Sequence, residues 1–208
     1  IESLLAMLSI AATQRRFIMS VDIEGAYLEC DMEGPPVFMC LPPAISRCLV
    51  ELDPELDRYS QPNRCIVVRL RKALYGCVQS GRLWYNKLVR VLTGMDYIMN
   101  PIEPCVFNKM VDGSQMSIAA YVDDLLVTHK SKEKVREELT DIGSHFAGYK
   151  VQDGHIIGHL GIRINSIKTG GIELDMIKYT HEAVAAWGPR KTYVTPGDRE
   201  LFVVREAK

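Results

Sequence analysis

Two adjacent aspartates, Asp123 and Asp124, lie between apolar runs, Met116 to Val122 before them and Leu125 to Thr128 after. Strand-forming residues that run straight into and out of a pair of acids require a tight reversal at the water boundary, because neither carboxylate enters a core unpaired. A second hairpin precedes it: Asp112-Gly113 separates Val106 to Met110 from Met116 to Val122, and Asp-Gly is a strong turn signal. The chain is therefore expected to contain an antiparallel meander with two carboxylates at one end. Such a pair repels unless a cation or a basic partner compensates it, and sites of that kind tend to be functional. For an isolated Asp-Asp, the blander reading is a type I′ turn that merely accommodates Asp.

A third acid shifts the balance. FIMSVD, Phe17 to Asp22, reads as a strand that ends on Asp22. Brought beside the Asp-Asp turn, Asp22 would complete an oxygen-rich set suited to hard divalent cations, and the two-metal chemistry of phosphoryl transfer needs little more than that.

The remaining pattern is that of an α+β domain. Residues 1–14 have helical spacing, with Leu4, Leu5, Leu8 and Ala12 on one side, and residues 131–146 are amphipathic through Val135, Leu139, Ile142 and Phe146. A helix from Ser80 to about Leu92 carries an apolar stripe that includes Trp84 and Leu88, with Ser80 as its expected cap. Residues 31–63, rich in proline, read as turn-rich connection around the short strand VFMCL, followed by a strand from Ile66 to Leu70. Strands are expected around 155–166 and 171–174, and a helix over about 176–187.

Composition narrows the class. The 208 residues carry a net charge of -1, so no global basicity points to nucleic acid. Between Arg58 and Met95, however, there are eight Lys or Arg and no Asp or Glu, a block suited to phosphates or to a plain solvated face. The six cysteines form no CxxC pair and read as buried structural thiols rather than a zinc site. Leu4 to Ala12, the longest apolar stretch near the start, is too short to span a bilayer, and no membrane partner is expected. His155 and His159 are four apart, but the glycines around them favour surface histidines on a strand or loop. The chain opens on Ile1 and stops soon after a loop, which reads as a segment of a longer protein.

Several segments together resemble one family. FIMSVDIEGAYLEC is similar to the first carboxylate motif of Ty1/copia-type retrotransposon reverse transcriptases, commonly MDVKTAFLNG. KALYGCVQSGRLWY resembles their KALYGLKQSPRxWY segment, and AAYVDDLLV their YVDD hairpin. GHLGIRI, GGIELDMIKYTHEAV and VTPGD resemble, in order, their later strand, strand-helix and linker. The set covers almost the whole chain.

The resemblance implies a right-hand polymerase palm, an antiparallel sheet packed on helices, with partial fingers. Residues 1–187 would form it, and 188–208 would be a linker toward a connection and ribonuclease H region. It implies RNA-directed DNA polymerase activity: deoxynucleoside triphosphates joined to a primer 3′-OH on an RNA or DNA template, with two Mg²⁺ (or Mn²⁺). By the same resemblance Asp22, Asp123, Asp124 and the Ile23 carbonyl would hold metal. Ile23, Gly25, Ala26, Tyr27, Tyr75 and Gly76 would meet the nucleotide, Tyr27 as the gate beneath the sugar. Tyr121, Val122, Arg71, Lys72, Arg82, Leu160 and Gly161 would contact primer or template, and Lys150 would be a proton donor to pyrophosphate. Ribonuclease H and integrase regions of the same polyprotein are the implied neighbours, and a cytoplasmic virus-like particle the implied setting. The chain departs from the pattern at Glu24-Gly25, where Lys-Thr is usual, at Glu29, where Asn is usual, and at Cys77-Val78, where Leu-Lys is usual. These departures keep open a second expectation, a degenerate remnant that retains the fold and binds nucleic acid without turnover.

Overall fold

The strand that carries Asp22, β1 (Phe17–Ile23), runs one residue past it and lies inside a six-stranded sheet. The computed structural model describes residues 2–167 and 171–188. The sheet also contains β4 (Ile98–Met99), β5 (Val106–Val111), β6 (Ser114–Tyr121), β7 (Asp124–His129) and β8 (Tyr149–Gln152), in the order β4-β5-β6-β7-β1-β8. Every neighbouring pair is antiparallel. The Asp112-Gly113 reversal is present, with both residues at positive φ, as a two-residue hairpin of this hand requires. β8 has no counterpart in the sequence expectations.

Strand alternation sends the two faces of this sheet into separate cores. Met19, Val21 and Ile23 of β1 face α3 (Ser80–Gly94) and α4 (Lys132–Ser144), packing with Trp84, Leu88, Leu92, Val135, Leu139 and Ile142. On the other face, Ile18 and Leu126 meet Leu4, Met7, Leu8 and Ala11 of α1 (Glu2–Thr13). The same core receives Ile157, Ile162 and Ile164 from β9 (Ile156–His159) and β10 (Ile162–Ser166). These two strands form a smaller sheet with β11 (Ile172–Asp175), in the order β11-β10-β9. The helix α1 ends where Arg15 enters the left-handed region and the Arg16 amide reaches back 2.8 Å to the Ala11 carbonyl, a closure that turns the chain directly into β1.

Residues 31–63 are more ordered than their prolines led us to expect. β2 (Phe38–Leu41) pairs with β3 (Ile66–Arg69), and between them lie α2 (Pro43–Leu52) and a 3-10 helix, Pro54–Tyr59. Both helices start on proline, which needs no amide partner in a first turn and has the φ the helix requires. Here proline opens helices where the sequence predicts connection. Ser46 ties the unit together: its hydroxyl donates to the Leu41 carbonyl and accepts from the Ile66 amide.

The compact unit that holds both cores runs through Leu174, and a second begins at Asp175. The second unit contains α5 (Ile177–Trp187). Residues 194–198, with the VTPGD segment, lie outside the described residues. Only Cys30 and Cys65 are buried, while Cys40, Cys48 and Cys105 are exposed, so the expectation of uniformly buried thiols fails. His159 is buried in β9 rather than at the surface, because its alternation places it beside Ile157 against the α1 core. No helix among the described residues is long and apolar enough to cross a membrane.

Candidate carboxylate site

Strand register brings the three aspartates to one end of the sheet. Asp22 stands directly opposite Asp124, and Tyr121 opposite Asp124 on the other side. The reversal is thus the two residues Val122-Asp123, and Asp124 is already in β7. Of the turn pair only Val122 has positive φ, 54°, which makes the turn type II′ rather than the type I′ considered from sequence. That first position favours glycine, and a β-branched residue there costs about 1–2 kcal/mol.

The strained turn is held from two sides. The Trp84 indole nitrogen donates 2.6 Å to the Val122 carbonyl, and the Ile23 amide donates 2.9 Å to the Asp123 carbonyl. The Tyr75 hydroxyl donates to Asp123 Oδ2 at 3.1 Å. Tyr75 is itself set by Ser80, whose hydroxyl both accepts from the Leu74 amide and donates to the Leu74 carbonyl. Ser80 therefore does not cap α3 as expected; it is fully buried and spends its hydroxyl on the loop that carries Tyr75 and Gly76.

Electrostatically the site has an excess of negative charge. Burial pushes the Asp124 carboxyl up, and the negative charges of Asp123 and Asp22 push it further. Burial and the charge of Asp123 likewise raise the Tyr75 hydroxyl, which keeps it protonated as a donor. None of the three aspartates has a salt bridge to a described basic residue. No group of three or more His, Cys, Asp or Glu side chains among the described residues is arranged as a metal cage. What the register supplies is the alignment of Asp22 with Asp124, with Asp123 in the adjoining turn. The donor set, carboxylates and backbone carbonyls, is the hard-oxygen chemistry that Mg²⁺ or Mn²⁺ takes.

The residues after Asp22 form a second wall. Gly25 is left-handed, φ 62°, and starts a single 3-10 turn, Ala26–Glu29, with Ala26 fully buried. Tyr27 is half-buried and stacks obliquely on Tyr75, ring centroids 4.3 Å apart. Glu24 does not leave a bare charge at this wall: Lys150, directly opposite Asp22 in β8, pairs with it at 2.5 Å. Glu29 accepts from the Ala147 amide and from Lys87 Nζ, joining the turn to the α4–β8 loop and to α3. Burial alone raises the Glu29 carboxyl, but those donors outweigh it and leave the carboxyl below its usual range.

The expected primer and template residues are spread more widely. Tyr121 and Val122 are exposed at the hairpin, and Leu160-Gly161, both at positive φ, form the turn between β9 and β10. Lys72 is paired with Asp31, whereas Arg71 and Arg82 are exposed with no salt bridge to a described residue. Two contributors to the site were not singled out from sequence. Trp84 reads as core, and only the rule that a buried indole N–H needs an acceptor flags it. Glu29 reads as a mere departure from a pattern, with no local signal for its three-way bridge.

Comparison with known proteins places the chain in a family. A family model described as "Reverse transcriptase (RNA-dependent DNA polymerase)" matches residues 1–195. The chain is similar to the "Retrovirus-related Pol polyprotein from transposon RE2" of Arabidopsis thaliana, 26% identical over 183 residues, covering 88% of this chain and 11% of that protein. It is also similar to the "Transposon Ty1-DR1 Gag-Pol polyprotein" of Saccharomyces cerevisiae, 27% identical over 193 residues, covering 91% of this chain and 9% of that one. The chain thus spans about a tenth of the length of these relatives. Among solved structures, apo telomerase from Candida Tropicalis aligns with a TM-score of 0.41 and 11% identity, over 82% of this chain and 40% of that one.

Proposed function

This chain belongs to the reverse transcriptase (RNA-dependent DNA polymerase) family, and on that premise we propose that it joins deoxynucleotides to a primer 3′-OH on an RNA or DNA template. The observation that carries this is the register of Asp22 against Asp124 with Asp123 in the adjoining turn, three acids with no salt bridge to a described basic residue. Two Mg²⁺ (or Mn²⁺) held by Asp22, the Ile23 carbonyl, Asp123 and Asp124 would supply charge neutralisation at the attacking and leaving oxygens. The chain's own residues do the positioning. Tyr75 fixes one Asp123 oxygen. Trp84 and the Ile23 amide hold the hairpin on which Tyr121 and Val122 meet the primer end. Gly25, Ala26 and Gly76 border the triphosphate site, and the ring of Tyr27, backed by Tyr75, restricts space beneath the sugar to a deoxyribose. Arg71, Lys72 and Arg82 take template phosphates, and Leu160-Gly161 supports the primer. The bond formed joins the primer 3′ oxygen to the α-phosphorus; the bond broken releases pyrophosphate, with Lys150 nearby to protonate it.

Ribonuclease H and integrase regions of one polyprotein belong to the same proposal. The second reading, a fold that binds nucleic acid without turnover, draws on Glu24, on Val78 where a lysine is usual and on the partial fingers; the Glu24–Lys150 pair answers the first of these points only. Primer extension on an RNA template with Mg²⁺ or Mn²⁺ tests it. Product from the native chain and none from Asp123→Asn is the expected result, and equal, background-level product from both establishes the remnant reading.

A further inference from the structure

The β2–β3 pair carries two thiols on one face. Register sets Cys40 of β2 directly across from Val67 of β3. Cys65 stands two residues before Val67, and side chains two apart along an extended strand share a face. Cys40 and Cys65 are therefore diagonal cross-strand neighbours. The two thiols sense each other: burial holds the Cys65 thiol above its usual range, and the adjoining Cys40 thiol raises it further. Backbone hydrogen bonds fix both positions. Cys40 lies within the ladder. The Cys65 amide donates to the Asn63 side-chain oxygen, and its carbonyl accepts from the Gln61 amide.

Their exposures differ. Cys40 is open to solvent, whereas Cys65 is buried, 8% exposed, and both are free thiols. An accessible sulfur beside a covered one is the arrangement in which an oxidant engages the first thiol and the second resolves the product. Of the other cysteines, Cys48 is exposed on α2, outside the ladder. Cys30, Cys77 and Cys105 lie outside the 38–69 segment altogether.

We propose that Cys40 and Cys65 form a reversible disulfide within the chain by exchange with a low-molecular-weight disulfide such as oxidised glutathione. The Cys40 thiolate attacks one sulfur of the oxidant, forming a mixed disulfide and releasing one thiolate. The Cys65 thiolate then attacks the Cys40 sulfur, closes the Cys40–Cys65 bond and releases the second. Two protein S–H bonds are lost; their electrons reduce the oxidant to two thiols, which take up the two protons. The new bond closes the chain from Cys40 to Cys65 into a ring that contains α2 and the 3-10 helix, and so opposes local opening of that segment. The site is independent of the polymerase reading.

The test treats the native chain with oxidised glutathione at neutral pH, blocks the remaining thiols with an alkylating agent, and maps the cysteines by mass spectrometry after digestion with trypsin and a glutamate-specific protease. Cleavage after Glu33, Arg47 and Arg64 puts Cys30, Cys40, Cys48 and Cys65 on separate peptides. The expected product is a Cys40–Cys65 peptide pair that dithiothreitol removes. Cys65→Ser should leave Cys40 trapped as a mixed disulfide with glutathione, and Cys40→Ser should leave Cys65 a free thiol. Before denaturation, tryptic cleavage after Arg47 and Arg58, inside the ring, should slow several-fold in the oxidised native chain and not in oxidised Cys40→Ser. No linked pair in the native chain overturns the proposal, as does a Cys40–Cys48 pair in its place or a Cys40–Cys65 pair that appears only in urea. A linked pair with cleavage as fast as in the reduced chain overturns the claim that the bond restrains α2.

Discussion

The Trp84 indole nitrogen donates a 2.6 Å hydrogen bond to the carbonyl of Val122, the residue that holds a left-handed φ of 54° beside Asp123. A core side chain on α3 thereby fixes the backbone of the turn that presents the acids. Trp84→Phe retains an aromatic ring against Phe146 but removes the donor to the Val122 carbonyl, so stability should fall by roughly 1 kcal/mol. Val122→Gly removes the steric conflict and, with Val122 already 37% exposed, should raise stability by about 1 kcal/mol. Urea denaturation of both variants checks the pair; a destabilised Val122→Gly would show that the turn is unstrained.

Much of this site is legible in the sequence because it depends on local pattern. Apolar runs around Asp112-Gly113 and Asp123-Asp124 specify the meander, and FIMSVD specifies the strand that carries Asp22. What the sequence conceals is pairing at a distance. Nothing local says that YKVQ becomes an edge strand with Lys150 opposite Asp22, or that Glu29 reaches the Ala147 amide. The proline-rich stretch misleads for a different reason: proline breaks a helix interior but favours its first turn, and only packing decides which applies at Pro43 and Pro54.

Glu29 gives a pH signature. Its carboxyl is held below the usual range by the Ala147 amide and Lys87, against the opposing effect of burial. A depressed folded-state pKa contributes stability that is present above the unfolded value, and the contribution fades as pH falls through the folded value. Glu29→Gln should therefore cost about 1 kcal/mol near neutrality, where Lys87 loses its counter-charge. The difference from the native chain should shrink steadily below about pH 4. Thermal melts across pH 2–7 read this directly, and a pH-independent difference would assign the loss to packing.

Tyr27 backs onto Tyr75 at 4.3 Å. With Tyr27 beneath the sugar as proposed, Tyr27→Ala should raise ribonucleotide incorporation relative to deoxynucleotide by tenfold or more, with smaller change for deoxynucleotides. Competitive incorporation assays check it. Unchanged selectivity would return Tyr27 to the role of a packing residue for the loop that carries Gly76.

The Glu24–Lys150 pair predicts a rescue. Lys150→Met strips Glu24 of its partner; with the triphosphate bound as proposed, a negative charge would then face it, and KM for the nucleotide should rise several-fold. Adding Glu24→Gln should recover much of that KM. If the double variant binds nucleotide no better than Lys150→Met alone, Glu24 does not face the triphosphate.

The central claim is that Asp22 and Asp123 serve template-directed nucleotidyl transfer. Single-nucleotide incorporation on RNA templates that differ only in the first unpaired base tests it most directly. With Mn²⁺ or Mg²⁺, the native chain should add only the complementary deoxynucleotide on each template, and Asp22→Asn and Asp123→Asn should both fall to background. Incorporation that ignores the template base, or that survives either substitution, would contradict the account.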